Sequence, residues 1–310
     1  MSRSGRILIL GASGQVGREL QRSFVGAGEL LCPGRSEADL ASPDKLRETV
    51  RNVQPDVILN AAAYTAVDRA ETERDLAFAV NAEAPRVLAE EAARCNALLV
   101  HYSTDYVFDG SKRGPWLETD PANPLNVYGA SKLAGEIAIQ AAGGNYLIFR
   151  TSWVYGPHGK NFLFTMLRLG RERDHLQIVD DQTGAPTTSI ALAEATRTIV
   201  ERALAGDYGT PSGWIGLYHM TCAGSVTWFG FARRIFECYG VLLGKRPPEI
   251  VPTDSANYKT DAKRPLNSAL SNRKLLECFG IALPAWDAAL DRVLATMVVP
   301  QFTETEHGAS

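Results

Sequence analysis

The chain lacks the long hydrophobic runs and the basic tracts that mark membrane and nucleic-acid-binding proteins. No apolar run approaches the ~18 residues of a membrane-spanning helix, so we expect no membrane partner. The net charge is −3 and there is no basic tract, which leaves no electrostatic footprint for nucleic acid. Apolar residues make up 45% of the sequence, as in an ordinary globular protein.

Cysteine and histidine are both sparse, with five residues of each. The cysteines are odd in number and include no Cys-x-x-Cys pair, which favours reduced thiols in a cytosol. The first predicted strand begins after about five residues, too early for a signal peptide, so we predict a cytoplasmic protein. The histidines show no ligand spacing with Cys or acidic residues, so we predict no metal site. His101, inside an apolar stretch, is expected to be a hydrogen-bonded core residue.

A glycine-rich turn stands between a predicted strand and a predicted helix at the start of the chain. Arg6-Ile-Leu-Ile-Leu10 is apolar throughout, as buried parallel strands tend to be. It runs directly into Gly11-Ala-Ser-Gly-Gln-Val-Gly17, after which Val16, Leu20 and Phe24 recur at helical spacing. The order strand, glycine turn, helix is the context that a dinucleotide-binding fingerprint requires.

Each glycine of this turn has a predicted role. Gly11 would allow the tight turn, Gly14 the close approach of backbone to pyrophosphate, and Gly17 close helix–strand packing. The pyrophosphate would lie on the exposed N–H groups at the positive end of the helix. The spacing is Gly-x-x-Gly-x-x-Gly, not Gly-x-Gly-x-x-Gly, and an ordinary glycine-rich turn remains the alternative.

The end of the second predicted strand indicates which dinucleotide is bound. Arg35 favours NADPH, because Arg can receive a 2′-phosphate, and Ser36 would be a second donor. Glu37 and Asp39 leave NADH open, because an acidic residue binds an unmodified ribose hydroxyl. Asp39 and Leu40 are expected near the adenine. A solvated loop Arg is the alternative for Arg35.

Small and hydroxyl side chains follow the next two predicted strands. The third strand ends in Ala61, Ala62 and Ala63, which would let a ligand lie against the backbone. Leu98-Leu-Val-His-Tyr102 is the fourth predicted strand, and Thr104 follows it. Ligands of open α/β sheets bind at the carboxyl edge of the strands, so we expect Thr104 to hydrogen-bond a substrate oxygen there. A hydroxyl that merely caps a turn is the alternative.

A phenol and an ammonium lie four residues apart in Tyr128-Gly-Ala-Ser-Lys132. On a helix, four residues advance the chain by just over one turn, so the two side chains become neighbours. A nearby cation favours the ionised form of a phenol, which suits general acid–base catalysis. By itself the pair is weak evidence for a catalytic site, because solvated helices often carry a Tyr and a Lys at the same spacing.

In combination, these features resemble the extended short-chain dehydrogenase/reductases, and within them the dTDP-4-dehydrorhamnose reductase family. The resemblance covers the chain from about residue 6 to about residue 298. It is carried by long segments: Asn60-Ala-Ala-Ala-Tyr-Thr-Ala-Val-Asp68, His101-Tyr-Ser-Thr-Asp-Tyr-Val-Phe108, Pro124-Leu-Asn-Val-Tyr-Gly129, Phe149-Arg-Thr-Ser-Trp-Val-Tyr-Gly156, Asp181-Gln-Thr-Gly-Ala-Pro186, Gly216-Leu-Tyr-His219 and Arg264-Pro-Leu-Asn-Ser268.

The resemblance implies NAD(P)H-dependent reduction of the 4-keto group of a dTDP-linked 4-keto sugar to give dTDP-β-L-rhamnose. It implies that Tyr128 is the proton donor and that Lys132 tunes it and holds the nicotinamide ribose. Thr104 would align the keto oxygen, and Asp105 and Trp153 would contact the sugar nucleotide. By the same resemblance the cofactor residues are Gly11, Ser13, Gln15, Val16, Asp39, Leu40, Ala61, Ala62 and Ala63, and Tyr128 and Lys132 also contact the cofactor.

The strand–helix alternation of the first half predicts an α/β fold, a Rossmann-like doubly wound parallel sheet with a smaller, interleaved C-terminal substrate domain. The cofactor domain would span 1–152, completed by parts of about 186–225. Residues 153–185 and 226–300 would form the substrate domain, and 301–310 a polar tail. Helices are predicted in the second half at 161–169, 190–204 and 228–239.

Two other functions stay open at this level. A nucleotide-sugar epimerase or dehydratase shares the glycine turn and the Tyr/Lys pair. A dehydratase would carry acidic partners beside the catalytic Thr, whereas Thr104 is followed by a single Asp and then by Tyr106, which disfavours it. A non-catalytic subunit resembling the β subunit of methionine adenosyltransferase also retains Tyr-x-x-x-Lys. The sequence further leaves open the nucleotide base, the oligomeric state, a homodimer included, and any dependence on Mg²⁺.

Overall fold

A computed structural model of the chain describes residues 5–243 and 246–298. The predicted polar tail at 301–310 lies outside the described residues. The strands, in chain order, are β1 (Arg6–Leu10), β2 (Glu29–Leu31), β3 (Val57–Asn60), β4 (Leu98–Thr104), β5 (Asn145–Thr151), β6 (Val154–Tyr155), β7 (His175–Val179), β8 (Thr183–Gly184), β9 (Thr187–Thr188), β10 (Gly216–His219), β11 (Val226–Thr227) and β12 (Glu249–Thr253).

Helices alternate with the strands of the first half and dominate the second. They are α1 (Gln15–Ser23), α2 (Pro43–Val53), α3 (Val67–Ala70), α4 (Arg74–Phe78), α5 (Ala84–Cys95), α6 (Val127–Ala142), α7 (Phe162–Glu172), α8 (Ser189–Ala205), α9 (Trp228–Leu243), α10 (Arg273–Phe279) and α11 (Trp286–Val298). A π-helical turn, Ala79–Glu83, joins α4 to α5. The three helices predicted for the second half are confirmed as α7, α8 and α9.

Six parallel strands form the central sheet in the order β10-β5-β4-β3-β1-β2. After β1 the chain adds β2 on one side and then β3, β4 and β5 on the other. The direction of winding therefore reverses between β1 and β3, and a crevice opens there outside the carboxyl ends of the strands. Both the glycine turn after β1 and the alanines after β3 lie at this crevice.

Both faces of the sheet are covered by helices, which confirms the predicted doubly wound fold. Ile7 and Ile9 of β1 pack with residues of α1 and α8 on one face. Leu8 and Leu10 of the same strand pack with residues of α2, α5 and α6 on the other face. Because successive side chains of a strand point to opposite faces, a strand buried on both sides must be apolar throughout.

A separate hydrophobic cluster forms beside the sheet from α7, α9 and α11. It is built around Leu163, Phe231, Ile235 and Leu290, which are all fully buried. Strand β7 pairs with β12 here and contributes to the same cluster. The predicted division into a cofactor domain and a substrate domain stays a prediction, and its exact boundaries with it.

None of the helices within 5–243 and 246–298 is both long and apolar enough to cross a membrane. All five cysteines fall among the described residues and carry free thiols: Cys32, Cys95, Cys222, Cys238 and Cys278.

Candidate active site

The glycine turn after β1 is pressed against the end of β3. Gly11 has a φ of +75°, which favours glycine, and a Cβ on it would lie 2.7 Å from Ala62 N. A Cβ on Gly17 would lie 2.1 Å from Gly11 O, so that position also requires glycine. A Cβ on Gly14 would meet only Gly11 O, at 3.2 Å, and Gly14 has an ordinary φ of −75°. The fold therefore needs Gly11 and Gly17, while the bare backbone of Gly14 suits a ligand.

The first turn of α1 offers donors to such a ligand. Gly14 is the N-cap residue and supplies no side-chain cap. The first backbone N–H groups of a helix have no intrahelical acceptor, and the helix dipole is positive at this end. Together these features suit a pyrophosphate, as the sequence predicts.

A cavity of about 690 Å³ begins at this turn and extends along the sheet edge past β2. Its walls include seven of the predicted cofactor residues: Gly11, Ser13, Arg35, Asp39, Leu40, Ala62 and Ala63. The remaining predicted positions, which do not form its walls, are Gly14, Gln15, Val16, Gly17, Ser36, Ala61, Tyr128 and Lys132. Tyr128 and Tyr64, the latter part of the cavity wall, both pack against the small cluster of Ala70, Ala77 and Val127.

Arg35 lies at the solvent rim of the cavity. Its side chain is 80% exposed, and Nε lies 3.6 Å from Asp39 Oδ1. An exposed ion pair of this kind contributes little to stability. Arg35 is therefore free to exchange Asp39 for a phosphate, which is what a 2′-phosphate receptor requires.

Replacing Arg35 by Ala should weaken NADPH binding by ~10-fold or more, because a charge-assisted hydrogen bond is worth about 1.5–3 kcal/mol. NADH, which has no 2′-phosphate, should lose less than about twofold. Fluorescence titration with both dinucleotides measures the two affinities. Arg22→Ala is the matched control, because Arg22 is an exposed arginine of α1 outside the cavity wall. Equal losses for NADPH and NADH would remove Arg35 from the phosphate site.

Helix α6 carries the phenol and the ammonium on neighbouring turns, as the spacing predicts. Asn126 caps the helix, its Oδ1 accepting from Gly129 N at 2.8 Å. Tyr128 is half-buried and packs edge-on against Tyr106, with ring centroids 5.8 Å apart. Burial raises the pKa of Tyr128 to about 12; a hydrogen bond with Thr104 opposes this rise and the charge of Asp105 adds to it. At neutral pH the phenol is therefore protonated, the form that a proton donor needs.

The ammonium of Lys132 is held by β4. Its Nζ donates to Tyr102 O at 2.7 Å and lies 3.1 Å from His101 Nε2. Lys132 is 1% exposed, and burial lowers its pKa to about 8, opposed by the charge of Glu136. The expected lowering of the pKa of Tyr128 by this cation is not found, because the nitrogen is turned toward the strand. His101 is confirmed as a hydrogen-bonded core residue.

Thr104 and Asp105 form a buried hydroxyl–carboxylate pair at the end of β4. Thr104 Oγ1 donates to Asp105 Oδ1 at 3.0 Å, and Ser152 Oγ donates to Oδ2 at 2.9 Å. Asp105 is 2% exposed, and burial raises its pKa to about 6 against the hydrogen bonds of Ser268, Ser152 and Thr104. Both carboxylate oxygens thus have partners within the protein, and contact of Asp105 with a sugar nucleotide stays a prediction.

The burial of Asp105 lowers the stability of the folded protein at neutral pH. The folded protein keeps a proton on Asp105 up to about pH 6, while the unfolded chain releases it near 3.8, so native stability falls as the pH rises between those values. The free energy of unfolding is thereby lowered by roughly 3 kcal/mol at neutral pH. We expect Asp105→Asn to raise the thermal unfolding midpoint at pH 7.5 and to bring little gain at pH 4.

Unfolding midpoints of both proteins across pH 4–8 measure this difference. Asp44→Asn is the control, because the side chain of Asp44 is 99% exposed and its loss should leave the pH trend unchanged. If Asp105→Asn raised the unfolding midpoint by the same amount at pH 4 and at pH 7.5, the prediction would be contradicted.

Trp153 follows β5 in a strained conformation. Its φ is +47°, a left-handed value that is unusual for a bulky side chain. The indole stacks on Trp228 with ring centroids 3.4 Å apart and an interplanar angle of 4°. A Cβ on Gly184 would lie 2.4 Å from Trp153 Cε2, so only glycine lets the ring lie there. The indole is therefore held on both sides, and its contact with substrate stays a prediction.

Several residues that support the candidate site were not predicted from the sequence. Asn81 is fully buried in the π-helical turn; its Oδ1 accepts from Tyr64 N at 2.9 Å and its Nδ2 donates to Ser131 Oγ at 3.0 Å. It thereby ties the cavity wall to α6. No local sequence signal marks it, because a π-turn arises from tertiary packing. Asn126 was detectable, since Asn before a helix is a common N-cap.

A buried ion pair between Glu136 of α6 and Arg150 of β5 holds the helix against the sheet. Arg150 Nε donates to Glu136 Oε1 at 2.9 Å and Nη2 to Oε2 at 2.6 Å, and both residues are at most 4% exposed. Ser103 Oγ also donates to Glu136 Oε1. These bonds join α6 to β4 and β5. Charged residues 14 positions apart carry no signal of such a pair in the sequence.

The chain matches the family model described as the RmlD substrate binding domain over residues 5–299. It is 48% identical to a dTDP-4-dehydrorhamnose reductase of Burkholderia thailandensis, over 92% of this chain and 96% of that protein. It is 43% identical to the dTDP-4-dehydrorhamnose reductase of Escherichia coli K12, over 93% and 96%. The crystal structure of a Bacillus anthracis dTDP-4-dehydrorhamnose reductase in complex with NADP superposes with a TM-score of 0.85 at 34% identity, over 94% of this chain and 99% of that one.

Proposed function

The chain belongs to the dTDP-4-dehydrorhamnose reductase family, and on that premise we propose that it reduces the 4-keto group of dTDP-4-dehydro-β-L-rhamnose to give dTDP-β-L-rhamnose. The enzyme is an NAD(P)H-dependent oxidoreductase of dTDP-rhamnose biosynthesis. The observation that carries this is a protonated phenol at the start of α6, beside the hydroxyl of Thr104, on a helix that Asn81 joins to the wall of the groove.

The residues of the site suit a carbonyl reduction. NADPH held in the groove would supply the hydride, with its two electrons, for the keto carbon. Negative charge then develops on the former keto oxygen, and the O–H of Tyr128 donates its proton there. Thr104 lies beside the phenol and aligns the same oxygen. The product is the 4-hydroxyl, and the phenolate regains its proton from water.

The cofactor is NADPH, with Arg35 as the predicted partner of its 2′-phosphate. The reductase from Bacillus anthracis was crystallised with NADP, which supports this choice. NADH stays open because Asp39 lies within reach of Arg35 and can bind an unmodified ribose. The partner of the chain is a nucleotide sugar. Five free thiols agree with a cytoplasmic location; a homodimer stays a prediction that analytical ultracentrifugation tests.

Tyr128→Phe should lower kcat by ~10²–10⁴, the usual contribution of a positioned proton donor. NADPH affinity should change little, because the ring and its packing are kept. Stopped-flow oxidation of NADPH with the keto sugar nucleotide measures kcat, and fluorescence titration measures affinity. Tyr258→Phe is the matched control, since Tyr258 is 60% exposed. Normal turnover by Tyr128→Phe would show that another group donates the proton.

Net consumption of NADPH separates the reductase from its alternatives. An epimerase or dehydratase regenerates its nicotinamide within each cycle, and a non-catalytic subunit oxidises none. We expect stoichiometric oxidation of NADPH by the purified chain with the dTDP-linked 4-keto sugar, and slower oxidation with the UDP-linked one. A chain that turned over sugar without net oxidation would belong to another reaction class.

A further inference from the structure

Behind Lys132, a chain of hydrogen bonds leads to the backbone of the cofactor groove. Lys132 Nζ lies 3.1 Å from His101 Nε2, and His101 Nδ1 lies 3.0 Å from Asn60 Nδ2. Asn60 Oδ1 accepts from Ala62 N at 3.3 Å. All three side chains are 1% exposed, so water does not replace any of these bonds. The catalytic role proposed above uses neither Asn60 nor His101.

The backbone N–H of Ala62 orients the amide of Asn60. Because an N–H donates, it must face the oxygen of the amide, and the nitrogen of the amide then faces His101. An amide nitrogen only donates, so His101 Nδ1 must accept. The opposite orientation would place two donors, Ala62 N–H and the NH₂ group, against each other.

The tautomer of His101 follows from this orientation. Burial and the charge of Lys132 hold the pKa of His101 well below its ordinary 6.5, so the ring is neutral and carries one proton. Since Nδ1 accepts from Asn60, that proton lies on Nε2 and faces Lys132. An ammonium has no lone pair to accept it, whereas a neutral amine accepts it and still donates to Tyr102 O.

We propose that Asn60 and His101 are positioning residues that favour the amine form of Lys132 by presenting the imidazole Nε2–H to its nitrogen. The proposal rests on the proposed function only in taking Lys132, on the same helix as the proton donor Tyr128, as a residue of that site. A lysine held in this way changes its protonation state near the working pH, where an ordinary lysine stays charged.

The other charged groups around Lys132 act in the opposite direction or are neutralised. Glu136, one turn further along α6, favours the ammonium, but both of its carboxylate oxygens are bound by Arg150 of β5. Tyr128 of the same helix is protonated at neutral pH. Asp105, at the end of β4, hydrogen-bonds to Thr104 and Ser152. Burial lowers the pKa of Lys132 to about 8, which is a shift toward the amine relative to an ordinary lysine.

The tautomer of His101 is measured directly by ¹⁵N NMR of the cofactor-free protein with ¹⁵N-labelled histidine. The signals of His101 are assigned by their loss in His101→Gln. At pH 9, where Lys132 is an amine, we expect Nε2 to be protonated and Nδ1 to be bare. A protonated Nδ1 at this pH would overturn the proposal, and the outcome does not depend on turnover or on substrate identity.

Asn60→Asp should reverse the arrangement. A carboxylate at position 60 accepts from both Ala62 N and His101 Nδ1–H, so Nε2 becomes an acceptor for the ammonium. The titration midpoint of Lys132, followed by ¹³Cε NMR, should rise by at least about one pH unit, or tenfold in proton affinity. Asn52→Asp, which adds the same charge on the exposed face of α2, should leave it unchanged.

Asn60→Leu separates the tautomer from the added charge. It removes the donor to Nδ1 without introducing a carboxylate, so His101 becomes free to accept from Lys132, and the midpoint should again rise. A midpoint that rises in Asn60→Asp but not in Asn60→Leu would assign the effect to charge alone and overturn the proposal. Circular dichroism of each variant establishes that it folds, and the wild-type tautomer measurement decides the matter if one does not.

Discussion

The close contact between Gly11 and Ala62 is the constraint on which the rest of the site depends. The turn after β1 lies so near the end of β3 that Gly11 has no room for a side chain. Both residues belong to the wall of the groove in which the dinucleotide is proposed to bind. The same Ala62 backbone N–H orients Asn60, and through His101 it reaches Lys132. One backbone position thus shapes the cofactor groove and connects it to the ammonium of α6.

Burial shifts the pKa of three groups of the candidate site in a single direction, toward the uncharged form. It raises the pKa of Tyr128 to about 12 and that of Asp105 to about 6, and it lowers that of Lys132 to about 8. Each shift is toward the uncharged form, because the protein replaces water that would solvate a charge. A neutral phenol is what carbonyl reduction requires of its proton donor. The carboxyl of Asp105 shows that the same burial lowers stability.

The second half of the chain is joined to the candidate site by a few polar contacts. Arg264 binds Asp68 of α3 through two bonds, Nη2 to Oδ2 at 2.8 Å and Nη1 to Oδ1 at 3.1 Å. Asn126, the cap of α6, donates to Lys263 O at 2.8 Å. The segment around residue 264 is therefore joined both to α3 and to the start of α6, which carries Tyr128.

Local patterns in the sequence determined the α/β fold, the glycine turn and the helix shared by Tyr128 and Lys132, because each depends on residues only a few positions apart. Tertiary structure alone decided the partners of Lys132, since Asn60 and His101 are separated by 41 residues and His101 and Lys132 by 31. It also decided the stacking of Trp153 on Trp228 and the burial that shifts each pKa. Spacing predicts which side chains share a helix, but the direction in which an ammonium turns depends on packing between distant strands.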